Sequence, residues 1–363
     1  MGLPTCRSRE RQVTSDTSEG ESHIRRTGPV TRGRQVVTTL DSHEGPVLRG
    51  TRAMTIAGEH GETDYGSATP EVILQIADEV PPEHRDAIRA SVQTLARRSA
   101  ETSKRAVEDT TTQTEQMTAM ARPLHRLIEA DADASEALAA SNRPLDEYRP
   151  DTPTQEPAWP TVNLVEGKLP ATELDFVASQ VFGAPWHYQW QWHNGQPPTI
   201  SSQDRTNGQI RMAVHADQNH NWSDVHGGFG VALRTDRVQA VAGRSLRRTD
   251  HTYFVHAGAL GGNATVEGGM EMTALEDGRL LTFARDKRFR KRLTNGERET
   301  LGFHGWTTGE GIEVNWVMLP GRTYTFNVGA WVFGEAHGGV GTASIASAQV
   351  NALVIALTAQ FTD

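Results

Sequence analysis

Hydrophobic positions are densest and most regular over residues 321–361. Tyr324, Phe326, Val328 and Val332 fall on alternate positions, with Thr323, Thr325, Asn327, Trp331 and Phe333 between them. A period of two is that of a pleated strand, whose successive side chains point to opposite faces. The Gly-rich stretch 338–341 follows, and residues 345–361 beyond it are apolar or small and carry no charge. Two such segments around a glycine turn predict a long β-hairpin at the centre of a β-domain. Val350, Leu353, Val354, Leu357 and Phe361 also fit a helical repeat, but the partner segment and the turn favour strand. Ser344, Ser347, Gln349, Asn351 and Gln360 interrupt the run, which argues against a spanning helix of about 20 apolar residues.

Upstream, short alternating or apolar runs occupy residues 186–192, 210–214, 230–233, 238–241, 252–256, 270–274, 280–283 and 312–318. Asn194-Gly195, Asn207-Gly208, Asp277-Gly278 and Asn295-Gly296 punctuate them. Many short strands with frequent turns predict an antiparallel β-sandwich or jelly roll over residues 161–363.

The period changes over residues 69–143. Pro70 and Glu71 suit a helix start, and Val72, Leu74 and Ile76 form a short apolar piece that Pro81-Pro82 ends. Glu83 opens a second helix with Ile88, Val92 and Leu95 at i, i+4 and i+7. Residues 99–116 are polar and Thr-rich. Apolar spacing returns at Met117, Met120, Leu124, Leu127 and Ile128, with Pro123 as a kink and Asn142 as the stop. A stripe this narrow predicts either a self-associating coiled-coil stalk or a docked helical hairpin. Pro144, Pro150, Pro153, Pro157 and Pro160 then mark residues 144–160 as a semi-rigid linker. Residues 1–68 are rich in Arg, Ser, Thr and Gly and bury too little to offset ordering entropy, so they read as a mostly disordered arm. The expected class is therefore α+β with several domains: arm, helical segment, linker and β-domain.

Composition sharpens these boundaries. All eight Trp and all ten Phe lie beyond residue 155, while the first 155 residues hold only Tyr65 and Tyr148. The aromatic core belongs to the C-terminal part. A formal charge of −9 argues against nucleic-acid binding through the overall field, and a single cysteine, Cys6, excludes an intrachain disulfide framework. Arg7, Arg9 and Arg11 precede polar residues and not an apolar signal core. Without a signal or spanning helix, the expected location is cytoplasmic, or outside the cell as part of a released assembly.

Three constellations are candidate chemistry. In residues 186–193, a strand puts Trp186, Tyr188, Trp190 and Trp192 on one face and His187, Gln189, Gln191 and His193 on the other. Trp190, Trp192, His193 and the nearby Trp222 could present a ligand-binding surface for sugar rings. The bland alternative is that the aromatics are core. His215, His220 and His226, with Asp217 and Asp224 between them, carry metal-ligating groups, but their spacing matches no metal motif. Arg285, Lys287, Arg288, Arg290, Lys291 and Arg292 surround Phe289 and could meet an anionic partner; a solvated connection is the plainer reading.

Nucleophile-elbow, phosphate-loop and dinucleotide motifs are absent, and no cofactor is implied. The pattern of tail, helix, joint and β-rich head suits a non-enzymatic structural or attachment protein of a phage-like or extracellular assembly. Its head would bind a carbohydrate or protein surface, with self-association expected. A β-sandwich enzyme acting on polysaccharide is the second reading, with Glu267, Glu271, Glu310 and Glu313 as candidate acids. A membrane-active protein using the uncharged C-terminal segment is a third.

Overall fold

In a computed structural model, residues 70–147, 157–160, 178–217, 221–302, 305–308 and 312–362 are described. The arm expected over residues 1–68 and most of the expected linker lie outside them. Residues 63–363 form one compact unit. The described elements begin with β1 (Val72–Ile76), α1 (Pro82–Glu129) and α2 (Ala132–Glu147). Thirteen strands follow: β2 (Ala178–Phe182), β3 (Tyr188–Gly195), β4 (Ile200–Asp204), β5 (Gln209–Asp217), β6 (Asn221–Arg234), β7 (Gln239–His256), β8 (Asn263–Glu276), β9 (Arg279–Thr294), β10 (Arg298–Leu301), β11 (Thr307–Thr308), β12 (Glu313–Met318), β13 (Thr323–His337) and β14 (Ile345–Thr362).

The strands form two antiparallel sheets. The first runs β1-β3-β6-β13-β8-β9. The second runs β10-β7-β14-β5-β4, with β11 and β12 also on β7 and β2 on β14. Alternation decides what each strand gives to the space between them. Tyr324, Phe326, Val328, Ala330 and Val332 of β13 meet Ala348, Val350, Ala352 and Val354 of β14 in one buried cluster, joined by Met212 and Val214 of β5. Facing alanines on β14 leave room for the aromatic rings opposite, as close packing requires.

One expectation fails here. The two C-terminal segments are strands, but they do not make a hairpin. β13 pairs with β6 and β8, whereas β14 pairs with β7, β5 and β2. The glycine turn between them carries the chain from one sheet to the other. Both strands are buried on both faces, so nothing in their alternation distinguishes an adjacent partner from one across the core.

The helical segment is corrected twice. Val72, Leu74 and Ile76 open no helix; they are edge strand β1, paired with β3 from Val72 opposite Trp192 to Ile76 opposite Tyr188. Their i, i+2 spacing is a strand period, and the Pro pair that follows separates strand from helix. The helix α1 then continues for 48 residues through Pro123, and the chain turns at Ala130–Asp131, a break the apolar spacing did not mark. The expected stop at Asn142 is passed, since α2 reaches Glu147 through Pro144.

Docking, and not an independent stalk, accounts for the packed part of α1. Ile88, Val92, Leu95 and Ala96 are buried against Tyr188, Trp190, Trp192 and Leu275 on the side of the first sheet turned away from the second. Each fully buried aliphatic side chain is worth about 1.5–3 kcal/mol. The helix follows β13, from Ser91, whose Oγ accepts a bond from Thr325, to His125 beside Gly341. Toward its end Met120, Leu124 and Leu127 are exposed. Among the described residues α1 thus covers one face of the first sheet, while residues of both sheets share the main buried cluster.

Candidate functional site

The face of the first sheet that lies under α1 is a grid whose rows follow from the strand register. One row runs Trp190, Gly228, Gly329, Glu271 and Arg285 across five strands. The next runs Trp192, His226, Trp331, Gly269 and Lys287, and the third Asn194, Asp224, Phe333, Glu267 and Arg290. Strands therefore bring acids, bases and aromatics from distant parts of the chain onto one surface. The Ser and Thr face of α1 closes over it.

His226 stands at the centre, fully buried. Its Nδ1 is 2.9 Å from Glu271 Oε1, and its Nε2 is 3.1 Å from Asp224 Oδ1 and 3.0 Å from Ser99 Oγ. Asp224 Oδ2 accepts from Ser99 at 2.9 Å, from Ser103 at 2.5 Å and from Asn194 at 3.1 Å. Arg285 donates through Nε and Nη2 to the second oxygen of Glu271, at 3.1 and 3.0 Å. Its guanidinium also lies over the Trp331 ring, 4.4 Å from the centroid. Trp192 stacks on the imidazole at 5.1 Å.

Burial alone would hold His226 neutral. The Asp224 and Glu271 carboxylates outweigh it and push the imidazole up to about 9. Burial opposes ionisation of Asp224 and Glu271 as well. His226 holds Asp224 well below the usual carboxylate range, and His226 with Arg285 lowers Glu271. The group is therefore Asp224⁻, His226⁺, Glu271⁻ and Arg285⁺, balanced in charge. Because the His226 value is raised above its ordinary 6.5, its stabilisation is complete below about pH 6.5 and is lost as pH rises through about 9. The depressed carboxylates contribute above about pH 4 and are lost below it as they protonate. The thermal midpoint of the full chain is therefore expected to fall on the alkaline side as pH approaches 9. In His226→Gln that limb should flatten. An unchanged alkaline limb in the variant would count against the assignment.

Beside this cluster, toward β9, a cavity of about 310 Å³ opens between α1 and the sheet. Thr102 and Thr110 line it from the helix, and Phe333, Glu267, Arg290 and Arg292 from the strands. Glu267 is held by Lys287 at 2.6 Å and by Arg290 at 3.2 Å. Arg292 donates to the Gln113 amide of α1.

The structure distributes the residues singled out from the sequence as follows. Trp190 and Trp192 are buried and stack on each other at 4.7 Å beneath α1. Trp222 is buried on the same face, 6.5 Å from the Phe333 ring, whereas His193 falls on the opposite face of β3. His215 and His226 do not converge. His215 is on β5 in the second sheet, His226 is on β6 in the first, and His220 lies outside the described residues. Among the described residues no group of three or more His, Cys, Asp or Glu is placed to hold a metal ion.

The basic run on β9 is divided by strand alternation. Arg285, Lys287, Arg290 and Arg292 lie on the side of α1. On the other side Arg288 pairs with Asp286 at 3.1 Å, and Lys291 with Glu299 at 2.8 Å. Of the candidate acids, Glu267 and Glu271 lie on one strand four residues apart, about 13 Å by strand rise, too far for a hydrolytic carboxylate pair. Glu313 is on β12 in the second sheet, paired with Arg244, and Glu310 lies outside the described residues. Ser99, Ser103, Asn194 and Trp331 were not singled out. Ser99 and Ser103, at i and i+4 in a polar stretch, give one signal: hydroxyls spaced for a single helix face. Among the described residues no helix is long and apolar enough to cross a membrane. In comparison with known proteins, the sequence matches no protein family and shows no significant similarity to any curated protein.

Proposed function

We propose that this is a non-enzymatic recognition protein, a β-sandwich with a helix clamped along one face, that binds a carbohydrate or protein surface as part of a larger structure. The observation that carries this reading is the saturation of the buried cluster. Ser99, His226 and Glu271 have the spacing of a hydroxyl nucleophile, its base and an orienting acid. The chemistry does not follow from the spacing. A general base must arrive with a free lone pair near neutral pH, and Asp224 on the same Nε2 keeps the imidazole protonated. Ser99 Oγ accepts from His226 and Asn194 and donates to Asp224, so its proton is already committed to a carboxylate.

A hydrolase is the second reading, favoured by that same spacing. The two separate on a fluorophosphonate probe applied to the full chain, with intact-mass detection. No adduct is expected in the wild type. An adduct that disappears in Ser99→Ala would overturn the non-enzymatic reading.

A further inference from the structure

The cavity between α1 and the first sheet lies beside the charge cluster but is not consumed by it. We infer that it is a binding site for a small saccharide; this deepens the recognition reading above and rests on it. Its volume, about 310 Å³, is at the small end of ligand pockets, which run from about 300 to 1,000 Å³. Phe333 lies half-buried on its floor, in a row between Asp224 on one neighbouring strand and Glu267 on the other. An aromatic face suits the C–H face of a sugar ring, and polar groups at its margin suit the hydroxyl edge.

Those margins alternate acceptors with donors. Glu267 offers carboxylate oxygens, Arg290 and Arg292 offer guanidinium N–H groups, and the Thr102 and Thr110 hydroxyls, which donate to Arg98 O and Ala106 O, offer acceptor lone pairs. A vicinal diol, which donates from one hydroxyl and accepts at the other, matches a carboxylate beside a guanidinium. The Glu267–Arg290 pair, 3.2 Å apart, presents those two groups together. An anion alone would meet Glu267 and the nearby Asp109, both lining the same cavity, so simple anion capture is the poorer match. A protein side chain from a partner could enter the same space, and the experiment below separates that case.

Isothermal titration calorimetry of the full chain against neutral, N-acetylated and uronic mono- and disaccharides tests the site. Saturable binding of at least one class is expected. Arg290→Gln, at a side chain 61% exposed, and Phe333→Ala should each weaken it about tenfold or more. If Phe333→Ala does not fold, Arg290→Gln still reads the site. No saturation by any sugar at millimolar concentration would overturn the site, and without turnover it would leave the recognition reading to a protein partner. Binding unchanged in both variants would also overturn the site. Binding accompanied by hydrolysis would instead keep the site and overturn the non-enzymatic reading.

Discussion

Replacing His226 with leucine is expected to cost about 3–5 kcal/mol of unfolding free energy, the range for removing one partner of a buried ion pair. The imidazolium is 1% exposed and is the direct counter-charge of Asp224. Without it Glu271 still has Arg285, but Asp224 keeps, among the described residues, the neutral donors Ser99, Ser103 and Asn194 and the unbonded charge of Arg285, which Glu271 already holds. Stability near neutral pH would then require Asp224 either to remain charged without a bonded counter-ion or to take up a proton. Adding Asp224→Asn to His226→Leu should recover much of the loss, because it leaves the Glu271–Arg285 pair balanced and the penalty is the uncompensated charge and not the missing contact. Urea unfolding of the two single variants and the double variant measures this as a non-additive cycle. A loss under 1 kcal/mol for His226→Leu alone would sink the account.

Trp190→Ala is expected to cost about 3–5 kcal/mol, as large-to-small replacement of a buried tryptophan does. Trp190 is 1% exposed, stacks on Trp192 and lies in the cluster that seats α1. Its ring rests over two glycines, on β6 and β13. A Cβ at Gly329 would stand 2.5 Å from Trp190 Cη2, and one at Gly228 would stand 2.8 Å from Cζ2. Removing the ring should nevertheless not make these positions tolerant. The same Cβ atoms would also meet Gly227 O at 2.8 Å and Val328 O at 2.2 Å, which are backbone and cannot swing away. The double variant Trp190→Ala/Gly228→Ala should therefore be less stable than either single one. Chemical unfolding decides it, and a double variant more stable than Gly228→Ala would show that the ring alone sets the limit.

What could be read in the sequence divides along physical lines. The alternation of Tyr188, Trp190 and Trp192 announced strand β3, and Ile88, Val92 and Leu95 announced the packed face of α1, because local periodicity records which face is buried; Trp186, read as part of the same face, instead precedes the strand and stacks on Phe229 in the other cluster. Partnership across the chain is not a local quantity. The hairpin expectation failed because β13 and β14 each satisfy a strand pattern without naming a partner, and their partners, β6 and β8 for one and β7, β5 and β2 for the other, are fixed only in the folded sheets.

The candidate site was hidden for the same reason. His226 was grouped with His215 by sequence distance, while its actual companions are Glu271 on β8, 45 residues away, and Ser99 on α1, 127 residues away. The basic run 285–292 read as one patch, but strand alternation puts its members on two faces with acids opposite most of them. The polar, Thr-rich stretch 99–116 looked solvated. Ser99, Ser103, Thr110 and Thr114 are buried because a polar sheet face lies beneath the helix.

The position of β14 in the second sheet has a consequence for synthesis. It bonds β7 along one edge and β5 and β2 along the other, yet it follows all three in the chain. During translation the strands that will flank it emerge first and wait with open edges, so this layer can close only after the ribosome has delivered residues 345–362. Long-range pairing of this kind is slow and leaves aggregation-prone surface uncovered in the interval. A nascent chain shortened within β14 would lack the central strand that joins β7 to β5, and chaperone protection would matter most at that stage of its life.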